Sequence, residues 1–203
     1  MYLYFIRHGE TDWNTVRRLQ GGSDIPLNAQ GIRLAQITGE AMKDIPFHRI
    51  FTSPLIRAKE TACIIRGDRE IPVIEDQRLR EISFGVLEGK IYNPQKGIVD
   101  DPQLEKFFEH PESYQCPEGG ESISHLIERT GDFLQELVHT KAYEEETILV
   151  SCHGAALRGL LAGVKEMELK DFWKGGVHKN CAVTILEVYD GVITILEEGK
   201  IYY

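Results

Sequence analysis

Five residues are of types that can handle an anionic oxygen group, and three of them follow apolar runs. Arg7 and His8 close the run Tyr2-Leu3-Tyr4-Phe5-Ile6, and His153 follows Thr147-Ile148-Leu149-Val150-Ser151 after a single cysteine. Arginine is permanently charged and forks onto two oxygens of a phosphate or carboxylate. A histidine in such a place reads as nucleophile, base, metal ligand or core side chain. Each of these histidines precedes a glycine, Gly9 or Gly154, which permits close backbone approach. If both runs are central strands of a parallel sheet, His8 and His153 meet at one carboxyl edge, where open α/β sheets bind ligands. Arg57 stands early in a helix that begins at a strand end, where the N-terminus favours an anion; by itself such an arginine is more often a solvated surface group. Glu81 sits in a turn-like stretch and, alone, reads as solvent-exposed. A zinc site is disfavoured, because no third ligand stands at metal-like spacing and Arg7 would repel a cation.

The elements that must position these residues follow from periodicity. Residues 2–6 and 147–151 read as short strands buried on both faces. Residues 11–27, with Gly21-Gly22-Ser23-Asp24 and Pro26, read as a loop. Asn28 caps a helix running to about Met42, with Ile32, Ala35 and Ile37 as its apolar positions. A strand over 47–52 leads to Ser53-Pro54, where Pro54 suits the first turn of a helix through Leu55, Ala58, Ala62 and Ile65; residues 71–75 form another short strand. Turn signals dominate residues 90–118, apart from a helix near Leu104–Phe108, and mark an insertion that covers the pocket as a lid. A long helix reaches His139 from Gly120-Glu121-Ser122, with Thr130 a polar interruption, and a shorter one spans roughly 155–162. Asp190-Gly191 joins two terminal strands as a hairpin. The pattern predicts an α/β fold: a three-layer α/β/α sandwich with a mostly parallel central sheet, its site at the carboxyl ends of the strands, in a single domain over residues 1–203.

Composition narrows the partners. The chain has 203 residues, 42% hydrophobic and 27% charged, with a net charge of −9. That is the make-up of a soluble globular protein, and the charge argues against nucleic acid or an anionic membrane as partner. Four dispersed cysteines, Cys63, Cys116, Cys152 and Cys181, read as free thiols of a reducing compartment. With no signal-peptide pattern and no membrane-length apolar run, a cytoplasmic protein is expected; whether it forms a homo-oligomer is left open.

Four stretches carry a resemblance. Arg7-His8-Gly9-Glu10-Thr11 with Asp12-Trp13-Asn14, Ser53-Pro54-x-x-Arg57-Ala58-x-x-Thr61-Ala62, Arg80-Glu81-Ile82-Ser83-Phe84-Gly85 with Glu88-Gly89, and Ser151-Cys152-His153-Gly154 resemble, in order, the motifs of the histidine phosphatase superfamily, which includes the cofactor-dependent phosphoglycerate mutases. The resemblance spans nearly the whole chain and is weakest in the insertion. It implies that His8 is phosphorylated, that Arg7, Arg57 and His153 hold the phosphoryl group, and that Glu81 protonates the leaving oxygen and then activates water. It assigns Asn14, Gln20, Gly21 and Gly154 to the phosphate pocket. The implied activity is hydrolysis of a small phosphomonoester with neither metal nor cofactor.

Three rivals stand beside that expectation. A mutase shares every step but the acceptor, and needs cations for a second charged end; between Ile82 and Glu128 there is no arginine. Cys152-x5-Arg158 matches the spacing of protein tyrosine phosphatases, with a thiolate at a helix N-terminus, but leaves the first 150 residues without a part. A non-catalytic phosphate-binding module would have no need of both His8 and Glu81.

Overall fold

A computed structural model describes residues 1–203. The chain runs β1 (Tyr2–Arg7), α1 (Asp12–Thr15), α2 (Ala29–Ala41), β2 (Arg49–Thr52), α3 (Ile56–Arg66) and β3 (Val73–Glu75). The insertion follows with β4 (Tyr92–Asn93), β5 (Ile98–Val99) and α4 (Pro102–Glu109), and then α5 (Ile123–His139), β6 (Thr147–Cys152), α6 (Gly154–Val164), β7 (Val183–Tyr189) and β8 (Val192–Lys200). Six strands form one sheet in the order β3-β2-β6-β1-β7-β8. The first four in that order are mutually parallel, and β7 and β8 are antiparallel to their neighbours. The expected mostly parallel three-layer architecture is what is observed.

Alternation along β1 explains the layers. Leu3 and Phe5 enter the core under α5 and α6, whereas Ile6 enters the one under α2 and α3. Tyr2, at the strand's start, is exposed, so burial on both faces begins at Leu3. All six residues of β6 are buried. On α5, Ile123, Leu126, Phe133, Leu134 and Leu137 form the inward stripe. Thr130, the polar interruption in that stripe, is buried too, its hydroxyl donating to the Leu126 carbonyl at 2.7 Å.

Local chemistry sets the helix starts. Asn28 accepts from the Gly31 amide at 2.8 Å and Ser122 from the His125 amide at 3.1 Å, each a cap worth about 1 kcal/mol. Three sequence expectations are corrected. The inward face of α2 is Leu34, Ala35 and Thr38, while Ile32 and Ile37 stay more than a third exposed. Pro54 precedes the cap residue Leu55 and is not in the first turn of α3. The 11–27 stretch is not all loop, since Thr11 and Asn14 form a capping box around α1.

Register then does the positioning. β1 and β6 pair so that Arg7 faces Cys152, and the His8 amide donates to the Cys152 carbonyl at 2.9 Å. His8 and His153 therefore leave adjacent central strands side by side.

Candidate active site

The two imidazoles stand with ring centroids 5.1 Å apart, His8 3% exposed and His153 fully buried. The Nδ1 of His8 lies 2.6 Å from the Gly9 carbonyl, which can only accept, so Nδ1 carries the proton and Nε2 keeps its lone pair. Burial, and then the charges of Arg57 and Arg7, pull the His8 pKa well below 6.5. Burial and Arg57 act on His153 likewise. Both rings are neutral at pH 7. The His153 Nε2 shares a 2.7 Å hydrogen bond with the Ser53 hydroxyl, leaving its buried Nδ1 without a partner.

Arg57, at the start of α3, is fully buried. Its guanidinium donates to the Ser23 carbonyl at 2.7 Å and the Gly21 carbonyl at 2.9 Å, while Nε bonds nothing. Burial lowers its pKa to about 10, opposed by the charges of Glu81 and Asp24, so it stays cationic. Arg7 donates to the His178 carbonyl, and its Nε is likewise buried and unpartnered. Burial lowers the Arg7 pKa, and Glu81 opposes the shift. Four of the eight buried side-chain polar atoms lacking a partner belong to Arg7, Gln20, Arg57 and His153. Unsatisfied buried groups are rare in folded proteins, and a cluster of them marks a place for a ligand.

Glu81 reaches the start of α6, whose cap residue His153 supplies no side-chain bond. Its carboxylate accepts from the amides of Ala155 at 3.1 Å, Ala156 at 3.0 Å and Ile82 at 2.9 Å. Gly154 is required by this crowding. A Cβ there would stand 2.9 Å from Val177 and within 4 Å of Glu81 Oε2 and Arg7 Nε. Gly21 takes φ of +51°, which turns its carbonyl onto Arg57, and Glu88 holds the same loop through the Gly22 amide at 2.7 Å.

A cleft of about 610 Å³ opens above these groups. Of the residues expected at the site, Arg7, His8, Asn14, Gln20, Gly21, Arg57, Glu81 and Gly154 all line it. His153 lies enclosed behind His8 and Ser53. The outer wall is aromatic: Tyr92 stacks on Phe108 at 4.7 Å, and Phe107 meets Phe84, Phe108, Tyr114 and Trp173 edge-on. No group of three His, Cys, Asp or Glu side chains is placed to hold a metal ion.

Sequence reasoning missed several members. Ser53 and Thr61 lie inside a motif but had no role assigned; Thr61 accepts from the Gly9 amide at 2.9 Å and so fixes the His8 turn. Asn180 donates to the His8 carbonyl at 3.0 Å, and Trp173 walls the cleft, both from a segment with no periodic signal. The insertion's lack of arginine does not leave the cleft without further cations. Arg17 and Arg18, from the turn after α1, also line the cleft, so it does have cations at its outer end.

The cysteine alternative fails on geometry. Cys152 is fully buried at the end of β6, and burial pushes its thiol pKa up. Arg158 points away from it, donating to the carbonyls of Phe172 at 2.6 Å and Asp171 at 3.4 Å.

Known proteins place this arrangement. The family model for the histidine phosphatase superfamily (branch 1) matches residues 3–199. The chain belongs to the histidine phosphatase superfamily. It is 36% identical over 159 residues to the uncharacterized phosphatase PhoE of Bacillus subtilis, covering 78% of this chain and 75% of that protein. It is 38% identical over 168 residues to the probable phosphoglycerate mutase GpmB of Proteus mirabilis, covering 81% and 74%. A solved phosphoserine phosphatase of Entamoeba histolytica, in complex with 3-phosphoglyceric acid, superposes with a TM-score of 0.83 at 31% identity over 98% of this chain and 96% of that one. Phosphatases and mutases are thus both among its relatives. No helix is long and apolar enough to cross a membrane.

Proposed function

We propose that this protein is a phosphomonoester hydrolase acting on a small phosphorylated metabolite through a phosphohistidine at His8, with residues 1–203 as one domain and residues 90–118 as its lid. The observation that carries the reading is the bond from His8 Nδ1 to the Gly9 carbonyl, which leaves a neutral imidazole with its Nε2 lone pair free. The unpartnered donors of Arg7 and Arg57, with His153 behind, suit three phosphoryl oxygens and offset charge as it spreads in the transition state. In the first step Nε2 bonds to phosphorus as the ester P–O bond breaks, and Glu81 gives its proton to the departing alkoxide. In the second step Glu81 takes a proton from water, whose oxygen attacks phosphorus as the P–N bond breaks.

The acceptor in this reading is water, which reaches the phosphoenzyme across the exposed cleft edge of Arg17, Arg18, Gly176 and Val177 once the alcohol has left. With guanidiniums supplying the positive charge, no metal is needed. The test is release of phosphate from p-nitrophenyl phosphate in the presence of a chelator, with trapping of acid-labile, alkali-stable phosphate on His8. The reading predicts that His8→Ala abolishes both. Activity restored only by added metal, or phosphate trapped on another residue, would refute it.

A further inference from the structure

We propose that Arg17 and Arg18 form a second anion subsite at the outer end of the cleft, so that the preferred substrate is a phosphomonoester whose alcohol carries a second acidic group. This rests on the hydrolase reading and specifies its substrate class.

Three observations carry it. First, both arginines line the same cleft as the proposed phosphoryl donors, as do the stacked Tyr92 and Phe108. Second, the chain holds them there against a local preference. Arg17 has φ of +54°, a left-handed conformation costly for a residue with a Cβ. Hydrogen bonds on every side enforce it: the Arg17 amide to the Asn14 carbonyl at 3.1 Å, the Arg18 amide to the Trp13 carbonyl at 2.9 Å, and the Tyr92 amide to the Arg17 carbonyl at 3.1 Å. The bend is thus tied to Asn14 on the phosphate side and to the insertion on the other. Third, neither cation is neutralised. Arg17 donates to the amide oxygen of Gln95, and Arg18 lies over the Trp13 ring at 5.4 Å. Besides Glu81, two carboxylates line the cleft and have other partners, Glu10 the Asn28 side-chain amide at 3.1 Å and Glu109 the Tyr92 hydroxyl at 3.2 Å. On a chain of net charge −9, two adjacent arginines without a carboxylate partner in a ligand cleft are placed for an external anion.

The geometry calls for a substrate with phosphate at one end, a carboxylate or second phosphate at the other, and a flat or apolar body between them. The experiment compares esters matched in leaving group: 3-(4-phosphonooxyphenyl)propionate against 4-propylphenyl phosphate, and propane-1,3-diol bisphosphate against propyl phosphate. Each pair is measured as kcat/KM on the wild-type protein and as Kd by calorimetry on His8→Ala, so the outcome does not depend on turnover. An acidic terminus should be preferred about tenfold, the scale of one charge-assisted hydrogen bond, and raising the salt should weaken the preference. In the Arg17→Gln/Arg18→Gln protein the ratio should fall to within about twofold; the more strongly preferred arm identifies the group as carboxylate or phosphate. If the arginines only pin the insertion, both members of a pair weaken together and the ratio persists. A persisting ratio, or wild-type protein blind to the acidic group, would overturn the proposal. A protein that binds the acidic esters preferentially but releases no phosphate would leave this subsite standing and refute only the hydrolase reading.

Discussion

Arg57→Met separates what this arginine does for the reaction from what it does for the fold. The side chain is fully buried, and its only partners are the Gly21 and Ser23 carbonyls. The lowered pKa shows that Glu81 and Asp24 do not fully offset the loss of hydration. Methionine has nearly the same reach and no charge. Its introduction removes that desolvation cost, several kcal/mol for a buried ion, and removes two hydrogen bonds to carbonyls worth about 1.5–3 kcal/mol each. These oppose one another, so unfolding free energy should change by no more than about 2 kcal/mol. Catalysis has no such offset. If the unpartnered Nε and one further N–H donate to the phosphoryl group, about 3–6 kcal/mol of transition-state binding goes, a fall of about 10²–10⁴ in kcat/KM. Urea unfolding at constant m-value, read beside kcat/KM for p-nitrophenyl phosphate, gives both numbers. A variant destabilised by more than about 4 kcal/mol, yet within tenfold of wild-type activity per folded molecule, would show that Arg57 is a structural tie and refute the reasoning.

Three further outcomes follow from the same geometry. Glu81→Gln should lower kcat/KM for an alkyl phosphate by about 10²–10⁴ but spare p-nitrophenyl phosphate, whose leaving group needs no acid; slow dephosphorylation should then appear as a nitrophenol burst near one equivalent per site, and equal losses for both esters would exclude Glu81 as the acid. His8 and His153 have pKa values held below 6.5 in the folded protein, so the unfolded chain binds more protons below that pH. Their contribution to stability is present above about pH 6.5 and is lost as pH falls through the folded values; Tm measured in acid should fall less steeply for His153→Asn, and an unchanged slope would contradict the burial argument. Cys152→Ala should keep full activity and resist inactivation by thiol reagents no differently from wild type, because the buried thiol takes no part; loss of turnover in a folded Cys152→Ala protein would reopen the cysteine mechanism.

The phosphate end of the cleft was legible because it is local. Arg7 and His8, and likewise Cys152 and His153, are strand-end residues, and two buried-type strands of equal length pair in one register. Arg57 follows a strand within a few residues, and Glu81 belongs to a compact motif. The outer end was not legible, because it is assembled across the chain. Arg18 forms an isolated bridge to the insertion at Ile91, the Arg17 carbonyl accepts from the Tyr92 amide, and Trp173 reaches the same wall through an indole bond to the Phe107 carbonyl at 2.7 Å. No periodicity links residues 17, 91, 107 and 173. The aromatic residues of the insertion pack as a small core, with Phe107 1% exposed, yet it and Phe108 also face the cleft. Phe84 and Trp173, from outside the insertion, complete that cluster.

What distinguishes the cleft arginines from the others is the charge of their partners, which sequence does not display. Arg49, Arg78 and Arg129 each meet a carboxylate, Glu146, Asp76 and Glu121 respectively, and their charge is neutralised where they stand. Arg7, Arg57 and Arg17 are held by neutral oxygens, the His178 carbonyl, the Gly21 and Ser23 carbonyls, and the Gln95 amide. A neutral acceptor fixes the direction of a guanidinium without cancelling its field, so the charge stays available to a ligand. Arg69 shows that neutral partners alone do not make a site. It bonds the carbonyls of Ile65, Arg66, Lys43 and Ile45, and takes no part in lining the cleft that holds Arg7 and Arg57. Neutral acceptors, an unpartnered nitrogen and a shared cavity coincide at Arg7 and Arg57. An acidic protein can in this way keep a cationic pocket: its carboxylates neutralise the arginines that brace the fold and make no ion pair with those that face the cleft, and Glu81, which stands beside Arg7 and Arg57, is itself bound by three backbone amides.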